Sequence, residues 1–215
     1  MSRKSDEAYW AEYYQSGAAP EEPSRFAQYV VKKFASPGLG VIELGCGNGR
    51  DARFFASRQL AVTAVDLCRP EIEAIQQDEE EARLENPVYE AGDFTRLPEE
   101  ASPFDIVYSR FTLHSVDADG QARTLDWSYR NLAEGGYLCI ETRGQKNELY
   151  KKGEPVEGEL DAFIYDSHYR RFVDFEEFKK EVDAAGFTIL EADEDKGYAP
   201  FEDTDYHFIR VIAQK

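Results

Sequence analysis

Basic charge is in short supply in this 215-residue chain: 25 lysines and arginines stand against 43 aspartates and glutamates, a net charge of −18 at pH 7. Such a surface repels phosphate backbones over most of its area and argues against a nucleic-acid partner. No run approaches the roughly 18 consecutive apolar residues of a membrane span, and the opening Met-Ser-Arg-Lys-Ser-Asp-Glu has no apolar signal-peptide core. The expectation is an unexported, cytoplasmic protein with no membrane attachment. Cysteine is scarce too, with three residues at 46, 68 and 139 and no Cys-x-x-Cys pair. Buried free thiols in a reducing compartment suit that usage better than disulfides or zinc. The acidic runs Asp78 to Glu81 and Glu191 to Asp195 lack the spacing of an oxygen-ligand loop, so they read as solvated faces and not as a metal site.

What the chain does have is Val41-Ile42-Glu43-Leu44-Gly45-Cys46-Gly47-Asn48-Gly49, an apolar strand running into three glycines at alternate positions. Without Cβ atoms the chain turns sharply there, and a flat or extended ligand can lie against bare peptide groups. The dinucleotide fingerprint needs its third glycine one residue later, where Arg50 stands. A phosphate-binding P-loop needs Gly-Lys-Ser/Thr after four intervening residues, and that sequence is missing. The loop points to a cofactor that is not held by its phosphates.

Hydrophobic content of 42% can supply a sizeable core, and the length suits one α/β domain. Strand patterns near 40–44, 61–66, 87–90, 104–109 and 136–142 alternate with helical ones near 50–58, 70–84 and 118–133, which implies right-handed crossovers and a parallel sheet. Phe175 to Ala185 has helical spacing, with Phe175, Phe178 and Val182 on one side and Gly186 at its end. Phe187 to Leu190 and Tyr206 to Ala213 read as two further strands, antiparallel to each other. Residues 1–36 precede this core, and residues 143–173 form a long, apparently structureless connection within it. A connection of that length is more often functional than not. Substrate choice is expected there.

Five stations occur in order. After the glycine loop, the strand Ala61 to Val65 ends at Asp66, where a carboxylate can accept both hydroxyls of a ribose. Then come Gly92-Asp93-Phe94, the strand Phe104-Asp105-Ile106-Val107-Tyr108-Ser109-Arg110-Phe111, and Asn131-Leu132-Ala133-Glu134-Gly135-Gly136, read as a helix end and a Gly-Gly turn leading into a buried strand. Over about residues 39–142 this series resembles the class I S-adenosylmethionine-dependent methyltransferases, in particular small bacterial members of tellurite-resistance-like, natural-product and surface-glycan pathways. The resemblance implies a Rossmann-like, doubly wound, mostly parallel sheet of seven strands with one antiparallel strand and helices on both faces.

It also implies S-adenosylmethionine as cofactor. Glu43, Gly45, Cys46, Gly47 and Asn48 would surround its methionine portion, Asp66 and Leu67 its ribose, and Gly92, Asp93 and Phe94 its adenine. Backbone near Ser109 would complete the cradle. Each carboxylate can alternatively cap a helix or satisfy a turn. In the N-terminal segment, Trp10, Tyr13 and Tyr14 share one helical face, either docked on the fold or closing over the cofactor, with Tyr14 and Ser24 as contacts.

Methyl transfer from a sulfonium needs positioning and desolvation, and a base only when the acceptor is protonated. His114, just after the fourth station, is the candidate base; its alternative is local packing at a helix entry. Arg110 at the strand end and His168-Tyr169-Arg170-Arg171 in the insertion are the candidate acceptor contacts. Two adjacent arginines suit a carboxylate or phosphate, unless they pair with acidic neighbours. The expected activity is methyl transfer to a small molecule, at an oxygen, by a monomer or homodimer. Nitrogen, thiol or protein acceptors, a non-catalytic cofactor-binding module and a nicotinamide enzyme are the alternatives.

Overall fold

In the computed structural model, strands β1 (Gly40–Leu44), β2 (Ala61–Asp66), β3 (Val88–Ala91), β4 (Phe104–Arg110), β5 (Leu132–Thr142), β9 (Thr188–Asp195) and β10 (Phe208–Gln214) form one sheet in the order β3-β2-β1-β4-β5-β10-β9. Three shorter strands, β6 (Glu154–Pro155), β7 (Ala162–Tyr165) and β8 (His168–Arg171), form a second sheet. The structure describes residues 9–14, 16–17, 19–78, 85–100 and 102–215. The chain divides into two compact units, Met1–Leu97 and Pro98–Lys215. No helix among the described residues is long and apolar enough to cross a membrane.

In the first unit β1 pairs with β2 and β2 with β3, both in parallel. Four successive residues of β1 are buried, Val41 to Leu44, as in a strand covered on both faces. Helix α1 covers residues 9–14, α2 is Arg25–Phe34, α3 Arg50–Ser57 and α4 Arg69–Gln77. Helix α4 stops seven residues short of the expected 84, with Asp78 already extended at its C-cap. Positions 79–84 lie outside the described residues.

In the second unit β4 and β5 are parallel, while β10 runs antiparallel to both β5 and β9, so β10 is the single reversed strand that was expected. Helix α5 (Ala118–Asn131) and helix α6 (Phe175–Ala184) complete it. Strand β5 starts at Leu132, four residues before the expected 136, and carries the Gly-Gly pair inside it. Between Phe104↔Leu132 and Ile106↔Tyr137 the β4–β5 register shifts, so the pair forms a bulge and not a turn ahead of the strand. A Cβ at Gly136 would sit 2.9 Å from the carbonyl oxygens of Ala133 and Asp105, which is why glycine is needed there.

The connection 143–173 is not structureless. Strands β7 and β8 pair antiparallel up to Tyr165↔His168, around the two-residue turn Asp166-Ser167. Both turn residues have positive φ, 51° and 58°, the signature of the hairpin turn whose twist matches its strands. Asp-Ser is a weaker cue for that turn than Asn-Gly or Asp-Gly, and so the hairpin is hard to see in the sequence.

Candidate active site

In the first unit, β1 delivers the chain into Gly45–Gly49. Gly47 has φ +55°, and a Cβ added to it would lie 2.5 Å from the Tyr14 hydroxyl, so backbone strain and close approach both demand glycine. Gly45 and Cys46 donate their amides to the Val65 carbonyl at 2.7 and 3.0 Å, which ties the loop to the end of β2. There Asp66, 8% exposed, accepts from the Gly47 amide through Oδ2 and from the Cys68 amide through Oδ1, each at 2.8 Å. Burial raises its pKa, and those two amides act in the opposite direction. An ionised carboxylate has about four acceptor sites, so each oxygen can still take one hydroxyl of a diol. The residues fit a ribose.

The other first-unit candidates are placed as follows. Glu43 is buried on β1. The Cys46 thiol is buried and pushed well up, by burial first and then by Asp66 and Glu43, which leaves it an inert thiol. Tyr14 stacks on Trp10 with ring centroids 5.9 Å apart, and burial, followed by Asp66, raises its phenol. Asn48 donates its side-chain amide to the Pro20 carbonyl at 3.0 Å. The Leu67 carbonyl accepts from the Arg69 amide, and the Gly92 amide donates to the Asp66 carbonyl at 2.8 Å. Asp93 caps the short helical turn Phe94–Arg96 by accepting from the Thr95 amide and hydroxyl, with Phe94 buried behind it.

Ser24 has the most fully accounted-for side chain of the set. It caps α2 by accepting from the Ala27 amide, and its hydroxyl and amide donate to Asp51 at 2.6 and 2.7 Å. Its polar atoms are committed inside the protein.

In the second unit, Ser109 is buried and its hydroxyl hydrogen-bonds that of Thr112. Arg110 donates from Nε to Glu141 Oε1 at 3.0 Å, while Arg210 donates to Glu141 Oε2 at 2.6 and 3.1 Å. Glu141 is completely buried, so both guanidiniums serve to neutralise it. The next residue, Phe111, has φ +59°, an unusual conformation for a bulky side chain, and stacks on Phe208 with centroids 4.5 Å apart.

His114, 3% exposed, has its ring 6.0 Å from that of Phe111. Burial holds its pKa well below the usual histidine value, and Arg143, His168, Arg170 and Arg171 add to the effect. His168, on β8, is lowered to about 3 by burial, then Arg170 and Arg143. Both rings are therefore neutral at pH 7, in surroundings that disfavour the protonated form. Arg170 donates to the Tyr165 carbonyl at 2.7 Å; Arg171 donates to the Val116 carbonyl and the Gln121 side-chain oxygen at 3.0 and 2.6 Å. Tyr169 is tied to Glu159 instead, through its hydroxyl at 2.6 Å.

So the structure gathers His114, His168, Arg170 and Arg171 into one electrostatic neighbourhood. It also adds Arg143, Phe111 and Phe208, which sequence reasoning missed. Arg143 had a cue, a cation directly beyond the end of a central strand; Phe111 and Phe208 had none, being 97 positions apart. Among the described residues no group of three or more His, Cys, Asp or Glu is arranged to hold a metal.

Residues 10–192 match the family described as Methyltransferase domain. A malonyl-[acyl-carrier protein] O-methyltransferase of Salmonella typhimurium is 28% identical over 158 residues, 71% of this chain and 58% of that protein. A second such enzyme, from Pectobacterium atrosepticum, is 31% identical over 126 residues, 58% of this chain and 47% of its own length. The chain thus spans about half the length of these curated relatives. Among solved structures, the Burkholderia thailandensis 1,6-didemethyltoxoflavin-N1-methyltransferase, with 1,6-didemethyltoxoflavin and S-adenosylhomocysteine bound, shares the fold at a TM-score of 0.74 and 21% identity, covering 99% of this chain and 88% of its own. The fold is that of the S-adenosylmethionine-dependent methyltransferases, and by the match over residues 10–192 the chain belongs to the methyltransferase domain family.

Proposed function

We propose that this protein transfers a methyl group from S-adenosylmethionine to an oxygen atom of a small-molecule acceptor that carries an anionic group. The observation that carries the reading is the pairing of Gly47, left-handed at φ +55°, with the buried carboxylate of Asp66 hydrogen-bonded to its amide. When bound, S-adenosylmethionine supplies a methyl group on a positively charged sulfur, open to in-line displacement without a covalent enzyme intermediate.

The chain's own residues do the rest. Gly45 to Asn48 and Glu43 hold the methionine portion, Asp66 with Leu67 the ribose, and Gly92 to Phe94 the adenine, with Ser109 backbone at the edge of the cradle. Residues 1–36, through Tyr14, cover the cofactor, while Ser24 caps α2; 37–142 form its core; 143–173 bear the acceptor contacts His168, Tyr169, Arg170 and Arg171, while Arg110 neutralises Glu141; 174–215 complete the sheet. His114 takes the proton of a hydroxyl acceptor. Its depressed pKa keeps it neutral, and its Nδ1 is buried with no hydrogen-bond partner among the described residues. The setting is cytoplasmic, which the three buried free thiols suit, and the working form is a monomer or homodimer.

The test is calorimetric titration with S-adenosylhomocysteine and with NADH, followed by an acceptor screen with labelled methyl donor. Tight binding of S-adenosylhomocysteine and label transfer to an oxygen support the reading. A response to NADH alone, or label on nitrogen or sulfur only, overturns it.

A further inference from the structure

We infer that Arg143 is the receptor for a carboxylate of the acceptor, through the unpartnered Nε–H of its guanidinium. This rests on the methyltransferase reading and names the group that the second unit recognises. Arg143 stands just beyond β5 and is half-buried, yet it forms no ion pair among the described residues, and its Nε is buried with no hydrogen-bond partner among them. Its Nη1 donates to Asn147 Oδ1 at 3.1 Å. Leaving a buried donor of a charged group unmade is costly, so an Nε–H without a protein acceptor marks a place where an acceptor arrives from outside.

The surroundings narrow the chemistry. The rings of Phe111 and Phe208, stacked on each other, lie 5.6 and 5.1 Å from the guanidinium carbon, so aromatic surface flanks the guanidinium on one side. Arg170 and Arg171 add positive charge, and Arg171 donates to neutral oxygens. Glu148, a carboxylate that acts on Arg143 at a distance, is itself bound to His207 and Lys196 at 2.9 Å. Burial and the neighbouring arginines pull the Arg143 pKa down to about 10, which still leaves it charged at neutral pH. His114 is the second group whose buried nitrogen, Nδ1, waits for a partner among the described residues. A planar, singly charged carboxylate matches a guanidinium edge and brings one negative charge into a cluster with an excess of positive charge. A phosphate would bring up to two charges into the same apolar walls, at a larger desolvation cost.

The test uses the full chain saturated with S-adenosylhomocysteine and titrated calorimetrically with monocarboxylates from acetate to phenylacetate, each against its methyl ester, and with inorganic phosphate. The expected result is saturable binding of at least one carboxylate, its ester at least about tenfold weaker, and a roughly 10- to 100-fold loss in Arg143→Gln. Arg143→Lys, which keeps the charge without the planar edge, should recover only part of the affinity. Should Arg143→Gln fail to fold, seen as no S-adenosylhomocysteine-induced rise in Tm, Arg143→Lys carries the test through its carboxylate-to-ester ratio. Equal binding of acid and ester, undiminished binding in both variants, saturation by phosphate alone, or no saturable carboxylate in the wild type each overturns the inference. A wild type that does not bind S-adenosylhomocysteine defeats the methyltransferase reading instead, so the two failures are distinct.

Discussion

Between Gly45 and Phe94 the first unit offers a ligand mostly main chain: a left-handed glycine, amides tied to the Val65 carbonyl, and a carboxylate fixed by two further amides. The second unit offers mostly side chains, with Phe111 after β4, Arg143 after β5, His168 and Arg170 on β8, and Phe208 at the start of β10. The contrast suits two different ligands. A donor common to a whole family can be held by backbone geometry that few substitutions alter, whereas an acceptor particular to one protein is met by side chains that can change singly. Each unit also has its own electrostatics. The first buries Asp66 and Glu43, whereas the second buries Glu141 between two arginines and holds two imidazoles neutral beside half-buried arginines.

Four changes bear on that division, from the largest effect downward. His114→Ala should lower kcat roughly 100- to 10,000-fold, the usual worth of a general base, with the Kd for S-adenosylhomocysteine unchanged; the readout is single-turnover transfer beside calorimetry. Were donor affinity to fall in step with the rate, the split between the units would not hold. Asp66→Ala should weaken S-adenosylhomocysteine binding about 150-fold, from two charge-assisted hydrogen bonds at about 1.5 kcal/mol each, and leave carboxylate binding in the second unit intact.

The third change is pH. His114 and His168 are held below their unfolded pKa of about 6.5, so the unfolded chain binds more protons than the folded one in acid, and stability rises with pH. Their contribution is present above about pH 6.5 and is lost as pH falls from there toward about 3, the folded value for His168. Thermal melts across that window should fall more steeply for the wild type than for His114→Asn/His168→Asn. Parallel curves would mean that the two rings are not buried as neutral groups. The smallest effect belongs to Ser24→Ala, which removes a helix cap and a partner of Asp51. It should cost about 1 kcal/mol in denaturant melts while changing donor affinity less than about twofold. A large loss of affinity with unchanged stability would return Ser24 to the cofactor.

The same contrast explains what could be read in the chain before its structure. The glycine loop, Asp66 and Asp93 follow strand ends at short range, so their spacing already encodes the first unit's site. Seven strands with one reversed follow from apolar runs and their order. The Gly135-Gly136 bulge was mistaken for a turn because a glycine pair signals either, and only the β4 partner decides. The second unit's cluster was half legible. His114 and His168 to Arg171 stood out as cations and imidazoles in an acidic chain, but nothing local shows that Arg110 is spent on Glu141 or that Phe111 meets Phe208.

Hydrogen–deuterium exchange of the full chain with and without S-adenosylhomocysteine tests the division of labour directly. Protection concentrated at 43–49, 66–67 and 92–94, with little change at 143 and 168–171, is the expected result. Protection concentrated at 143 and 168–171, with the glycine loop unchanged, would contradict it.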